Sequence, residues 1–142
     1  MNGVFVDSSV WIEHLRGVPT PGTRALRGLP EALVPESGSE DPPAVIAGDL
    51  VLMDVLRGIA DEAASTRTEA IPLSFPQVRL GGSEAALTVA GHLRPRRRQG
   101  ITVRKTVDCL IAIWCIARDG PLLHSDRDFD AFLQQCGLRS FA

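Results

Sequence analysis

The sequence has little cysteine and little histidine. Its three cysteines are an odd number, form no C-x-x-C pair, and have no histidine placed to complete a zinc site. We therefore expect Cys109, Cys115 and Cys136 to be small buried apolar residues in a reducing compartment. The three histidines are scattered along the chain, which argues against a histidine metal site and against a Ser-His-Asp triad.

Long apolar runs are also missing from the sequence. No run is long enough to cross a bilayer, and no basic-then-apolar leader follows Met1, so we expect a cytoplasmic protein with no membrane partner. A length of 142 residues suits one domain with one sizeable core. The hydrophobic content of 44% and the charged content of 23% are those of an ordinary globular protein.

The net charge of −2 gives no overall attraction to nucleic acid, but basic residues are concentrated in one place. A stretch of twelve residues without any acid contains Arg94, Arg96, Arg97, Arg98, Arg104 and Lys105. Such a patch is typical of a surface that contacts phosphates in RNA. It is equally typical of a solvated helix end, because cations favour helix C-termini.

The most informative stretch is residues 4–12. Three apolar residues lead into Asp7, which predicts a short buried strand that ends in a carboxylate. Ser8 or Ser9 is expected to cap a helix over residues 10–16. Asp7 then lies past the carboxyl end of a strand, where open α/β sheets form ligand sites. The alternative is that Asp7 serves only as the N-cap itself.

The rest of the chain alternates between apolar segments and turn residues. Short strands are predicted at 44–48 and 122–124, with a last edge strand at 137–141. Asp49, Ser83 and Thr106 are the expected caps of three helices. Pro95 is expected to end or kink the second of these. The predicted helices cover residues 23–29, 50–57, 61–70, from 83 to 92 or beyond, 106–117 and 129–136, with mainly loop at 30–43 and 73–80.

Two acids in apolar helices need an explanation. Asp54 is the only charge between residues 50 and 56, and an unpaired buried carboxylate needs a partner, a proton or a cation. We favour a functional role for Asp54, the alternative being an ion pair with Arg57 on an exposed stripe. Asp108 lies in the first turn of the next strongly apolar helix, where the helix dipole alone would favour it.

The acids would converge if the strands are parallel. Asp126, with Asp128 beside it, follows a strand, as Asp7 does, so these groups would meet Asp54 and Asp108 at one sheet edge. Converging carboxylates repel one another unless a hard cation such as Mg²⁺ or Mn²⁺ joins them. Such ions activate water for the hydrolysis of a phosphodiester, and the basic stretch would hold the nucleic acid.

Four blocks of the sequence resemble the PIN-domain family, and specifically the VapC-type toxins of bacterial toxin–antitoxin pairs. The blocks span nearly the whole chain in the order expected for the family, at residues 4–12, 48–58, 100–112 and 122–129. The resemblance implies a single PIN domain over residues 1–142, an α/β fold with a central, mostly parallel sheet flanked by helices. It also implies Mg²⁺- or Mn²⁺-dependent endoribonuclease activity that inhibits growth by cutting RNA.

The resemblance also implies roles for individual residues. Asp7, Asp108 and Asp126 match the metal-binding acids of the family. The family also has accessory positions beside these acids, and they correspond to Ser8, Ser125 and Asp128. Asp54 stands where the family usually has Glu, which is expected to lower activity or to make metal contact indirect. The loop at 30–43 is longer than usual, and its role is open.

Partners and competing functions follow from the same resemblance. VapC-type toxins are neutralised by a VapB-type antitoxin and usually form homodimers, so both partners are expected here. The alternative function is a weakened PIN domain that binds RNA or a protein without cutting, with Asp54 as the disabling change. A phosphatase of the haloacid-dehalogenase type is disfavoured, because it needs a second acid at position 9, which is Ser.

Overall fold

The centre of the computed structural model, which describes residues 3–32, 44–100 and 105–141, is a sheet of four parallel strands. Val4 lies opposite Val45 across one strand pair, and Phe5 lies opposite both Ile46 and Leu122. All the pairings are parallel, so the carboxyl ends of the strands share one edge. In spatial order the strands are β3 (Gln77–Val78), β2 (Ala44–Gly48), β1 (Gly3–Val6) and β4 (Leu122–Leu123).

Helices connect these strands, as the predicted α/β class requires. Seven α-helices and one 3₁₀ turn, Arg127–Phe129, occur in the described residues, and none of these helices is long and apolar enough to cross a membrane. They are α1 (Ser8–Leu15), α2 (Pro21–Ala32), α3 (Asp49–Leu56), α4 (Glu62–Leu73), α5 (Ser83–Arg98), α6 (Thr106–Ala117) and α7 (Asp130–Gln135).

The core forms around β1, whose four residues are all buried because both faces of the strand are covered. Phe5 packs against Trp114 of α6 with ring centroids 5.4 Å apart. Gly48 at the end of β2 is tightly enclosed, since a Cβ there would lie 2.7 Å from a Leu80 methyl carbon. The cysteine prediction is confirmed for Cys109 and Cys115, which are free and buried, whereas Cys136 is free but only half-buried.

The predicted helix caps were wrong, because the helices begin earlier than the cap residues suggested. Asp7, and neither Ser8 nor Ser9, caps α1 by accepting a hydrogen bond from the Ser9 amide. The other three helices begin at the residue that was expected to cap them and have no side-chain cap hydrogen bond. These first helical residues are Asp49, Ser83 and Thr106.

The region 73–80, predicted to be mainly loop, is more regular than its prolines suggested. Helix α4 continues through Pro72, and the Gln77 side-chain Nε2 donates to the Pro72 carbonyl at 2.6 Å. Strand β3 then pairs with β2, and the Ala47 amide donates to the Pro76 carbonyl at 3.0 Å. Pairing with a buried neighbour therefore outweighs the poor strand propensity of this segment.

Three further boundaries differ from the prediction. Helix α2 is longer at both ends, with Pro21 at its first position, where the missing amide hydrogen costs nothing. Helix α5 does not end at Pro95 but continues to Arg98. The C-terminal edge strand is reduced to an isolated parallel bridge between Leu122 and Ser140. Most of the predicted loop, residues 33–43, lies outside the described residues.

Candidate metal centre

Asp7 lies at the carboxyl end of β1 and has one bonded and one unbonded oxygen. Its Oδ2 accepts hydrogen bonds from the Ser9 amide at 3.1 Å and the Ser9 hydroxyl at 2.5 Å. Its Oδ1 is buried and has no hydrogen-bond partner among the described residues. Burial raises the pKa of Asp7, the bonds from Ser9 oppose this rise, and the charge of Asp126 adds to it.

Asp108 lies in the first turn of α6 and is 7% exposed. Its Oδ2 is also buried and without a partner in the described part of the chain. Burial raises the pKa of Asp108 to about 7, the negative charges of Asp7 and Asp126 add to the effect, and Lys105 opposes it. The electrostatic coupling places Asp7, Asp108 and Asp126 in one cluster.

Asp126 and Asp128 follow β4 and share a lysine. Asp126 caps the 3₁₀ turn by accepting from the Asp128 amide at 2.9 Å. The Lys105 ammonium lies 2.7 Å from Asp126 Oδ2 and 3.3 Å from Asp128 Oδ2. Burial favours a higher pKa for Asp126, but the bonds from Lys105 and the Asp128 amide lower it below its ordinary value. The hydrogen bond to Asp126 raises the pKa of Lys105.

The acidic cluster is defined as Asp7, Asp108, Asp126 and Asp128, and its last three members have the spacing of a divalent-cation site. One oxygen each from Asp108, Asp126 and Asp128 can lie within 4.8 Å of the others. The unpartnered buried oxygens of Asp7 and Asp108 are costly unless something binds them. Hard carboxylate oxygens are the ligands that Mg²⁺ and Mn²⁺ prefer. The donor set and its unsatisfied oxygens therefore match such an ion.

Asp54 has different surroundings. Its carboxylate pairs with Arg57 at 3.4 Å, which is the alternative that the sequence left open. The side chain is 20% exposed and lines a groove together with Ile12, Leu15 and Gly58. Neither its ion pair nor the groove involves the acidic cluster. A role for Asp54 in the site stays a prediction.

The basic stretch divides into residues with different environments. Arg94, Arg97 and Arg98 are exposed at the end of α5. Arg96 instead stacks over the Phe132 ring, 5.4 Å from its centroid. Lys105 binds the acidic cluster, as described above. The remaining member of the stretch, at position 104, lies outside the described residues.

Ser9 is the site residue that the sequence prediction missed as a functional group. Its hydroxyl donates to Asp7 and accepts from the Ser125 amide at 3.1 Å, so it joins the end of β1 to the segment after β4. The sequence does contain a signal for this contact: Ser9 lies two residues after Asp7, and an N-cap acid commonly accepts a hydrogen bond from the residue at that position. Ser8 contributes a backbone hydrogen bond that lowers the Asp7 pKa.

Comparison with known proteins identifies the family of the chain. Ribonuclease VapC11 of Mycobacterium tuberculosis and VapC ribonuclease Mb1587 of Mycobacterium bovis are each 27% identical to the chain over 137 residues, covering 96% of both sequences. The crystal structure of VapBC2 from Rickettsia felis bound to a promoter DNA fragment matches the fold with a TM-score of 0.69. That match has 13% identity and covers 97% of this chain and 96% of the other. The family model of the PIN domain matches residues 4–132, and the chain therefore belongs to the PIN domain family.

Proposed function

We propose that the protein, as a single PIN domain over residues 1–142, is an endoribonuclease that hydrolyses RNA phosphodiester bonds with Mg²⁺ or Mn²⁺. The observation that carries the proposal is the pair of buried, unpartnered oxygens on Asp7 and Asp108 within a cluster of four acids. The two mycobacterial relatives are named ribonucleases, which supports the same activity here.

Each residue of the acidic cluster has a task in this proposal. Asp7, Asp108 and Asp126 hold the metal, and Asp128 assists from the edge. A bound divalent ion supplies an acidified water and neutralises charge on the phosphate oxygens. Ser9 fixes the Asp7 carboxylate through bonds to Oδ2, which leaves Oδ1 free to bind the ion. Ser8 and Ser125 are the accessory groups for the water or phosphate.

RNA binding falls to the basic stretch, of which Lys105 contacts the acidic cluster. Exposed guanidinium groups at the end of α5 contact the phosphates on either side of the cut, because phosphate contacts supply most non-specific affinity. Arg96 is held by Phe132 and contributes less than its neighbours. The proposed RNA-contacting set is Arg94, Arg96, Arg97, Arg98, Arg104 and Lys105.

The proposed cellular role is that of the toxin of a type II toxin–antitoxin pair, acting in the cytoplasm to inhibit growth. Its partners are a VapB-type antitoxin and a second copy of the chain. The solved structure with the matching fold is a VapBC2 assembly, which supports the antitoxin. Met53, Leu73 and Leu87 are exposed apolar side chains available for such contacts.

The decisive experiment measures cleavage of a labelled RNA with and without Mn²⁺. We expect cleavage by the wild type that chelation abolishes and that Asp108→Asn lowers by at least about 100-fold. The matched control is Asp130→Asn, because Asp130 is also an acid in the first turn of a helix but is exposed. Equal activity in Asp108→Asn and the wild type would refute the proposal.

A second candidate function is supported by the pairing of Asp54 with Arg57. A PIN domain with this acid engaged elsewhere would bind RNA or a protein without cutting. Comparing the wild type with Asp54→Glu separates the two functions. Cleavage gained only by the variant would identify a binding module, whereas cleavage by both would identify a nuclease.

A further inference from the structure

A cleft of about 390 Å³ lies beside the acidic cluster, and its wall includes Ser125, an accessory residue of the proposed metal site. It is formed between Glu13 of α1, Gly22 of α2 and Ser125 after β4. Its position relative to the metal ligands is fixed, because the Ser125 amide donates to the same Ser9 hydroxyl that donates to Asp7. The cleft wall is therefore next to the end of β1 that carries Asp7.

Glu13 supplies an unsatisfied acceptor in the wall of the cleft. Its Oε2 is buried and has no hydrogen-bond partner among the described residues. Such an atom is costly to leave unbonded, which favours a ligand with matching donors. The terminal torsion of a glutamate is soft, so a small rotation brings a carboxylate oxygen to face the cleft.

The cleft wall opposite Glu13 is held by hydrogen bonds between Thr20 and Thr23 and by close packing at Gly22. The Thr20 amide donates to Thr23 Oγ1 at 2.9 Å, and the Thr23 amide donates to Thr20 Oγ1 at 3.1 Å. These reciprocal bonds fix the turn that leads into α2. A Cβ at Gly22 would lie 2.7 Å from Ser125 Oγ and 3.1 Å from Val10 Cγ2. Any larger residue at position 22 would therefore push Ser125, a residue of the cleft wall, out of place.

From this combination we infer that the cleft is a nucleobase subsite that prefers guanine, an inference that rests on the proposed ribonuclease function. A carboxylate only accepts hydrogen bonds, so its ligand must present donors. Guanine offers two adjacent donors, N1–H and the 2-amino group, on its Watson–Crick edge. Adenine and cytosine offer one amino group beside an acceptor, and uracil offers one N–H between two acceptors. Unstacked RNA bases are commonly read on this edge.

The test uses three mononucleotides that share the same sugar and phosphate, so that differences in affinity report the base. We expect guanosine monophosphate to bind the full chain about tenfold more tightly than inosine monophosphate, which lacks the 2-amino group. Adenosine monophosphate should bind more weakly still. NMR titration should shift the Gly22 and Ser125 amides. Equal affinities for the three nucleotides would overturn the inference.

Two variants and a control locate the binding. Glu13→Gln should weaken guanosine monophosphate binding about tenfold and leave adenosine monophosphate unchanged, because a donor amide then faces the base donors. Gly22→Ala should weaken binding, because its Cβ would displace Ser125 in the cleft wall. Gly28→Ala on the same helix is the matched control, since its Cβ meets no atom within 4 Å. An unchanged affinity in Glu13→Gln would exclude the subsite.

Cleavage assays separate this inference from the proposed function. Guanine-selective binding without RNA cleavage would keep the subsite and refute the nuclease. Cleavage with no dependence on guanine or on Glu13 would keep the nuclease and refute the subsite.

Discussion

Replacing Lys105 by Met tests how the acidic cluster is held together before a metal binds. The change removes the ammonium and keeps most of the apolar stem. The ammonium bonds Asp126 at 2.7 Å and Asp128 at 3.3 Å, but the lysine side chain is 54% exposed. Exposed pairs contribute about 0.2 to 1 kcal/mol, and two carboxylates sharing one cation favour the upper end. We expect Lys105→Met to lose about 1 kcal/mol of folding free energy without divalent ions.

Metal binding should respond in the opposite direction. The ammonium and a divalent cation compete for Asp126 and Asp128, so removing the lysine removes about 1 kcal/mol of competition. Since 1.36 kcal/mol is a tenfold change, the variant should bind Mn²⁺ about fivefold more tightly. Its thermal midpoint should be about 3 °C below the wild type in chelator. Saturating Mn²⁺ should remove this difference.

Calorimetric titration with Mn²⁺ and thermal denaturation measure the two effects separately. Lys105→Arg retains the charge and should retain wild-type metal affinity within about twofold. Arg57→Met removes a cation that pairs outside the cluster, with Asp54, and should leave Mn²⁺ affinity unchanged. Weaker Mn²⁺ binding by Lys105→Met than by the wild type would refute the competition.

Three further predictions concern stability and proton binding. The folded pKa of Asp108 is about 7 against an ordinary 3.8, so the metal-free protein loses stability as pH rises between these values. The free energy of unfolding, measured by urea denaturation, should therefore be up to about 4 kcal/mol higher for Asp108→Asn than for the wild type at pH 8. At pH 4 the two proteins should differ little. Ser9→Ala removes a hydrogen bond that lowers the pKa of Asp7, so the pKa of Asp7 should be higher in the variant than in the wild type. Carboxyl NMR titration measures this pKa, and an unchanged value would contradict the prediction. Gly48→Ala should cost about 1 to 3 kcal/mol, because its Cβ would lie within 2.8 Å of two side chains, whereas Gly28→Ala should unfold like the wild type.

The convergence of Asp7, Asp108 and Asp126 could be expected from the sequence, because parallel strands end at one edge. Their role as metal ligands stays a prediction. The apolar run before Asp7 and the apolar helix after Asp108 identify the neighbouring elements locally. The environment of Asp54 was not predictable in this way. Its helix is apolar on most sides, and the sequence alone does not tell which stripe is solvent-facing.

Tertiary contacts explain the other differences. Lys105 belongs to a basic stretch in the sequence, but two acids more than twenty residues away bind it in the fold. Strand β3 forms in a segment containing Pro76 because β2 supplies the hydrogen-bonding partner. Both features depend on contacts between distant segments, which local propensity does not contain.

The two oxygens of Asp7 differ, since one holds the start of α1 and the other is buried without a partner among the described residues. Asn keeps an oxygen that can accept the cap hydrogen bond, whereas Ala removes both groups together. An Ala substitution at this position would therefore confuse a folding defect with a chemical one. Asn is the substitution whose loss of activity would report on the ligand oxygen alone.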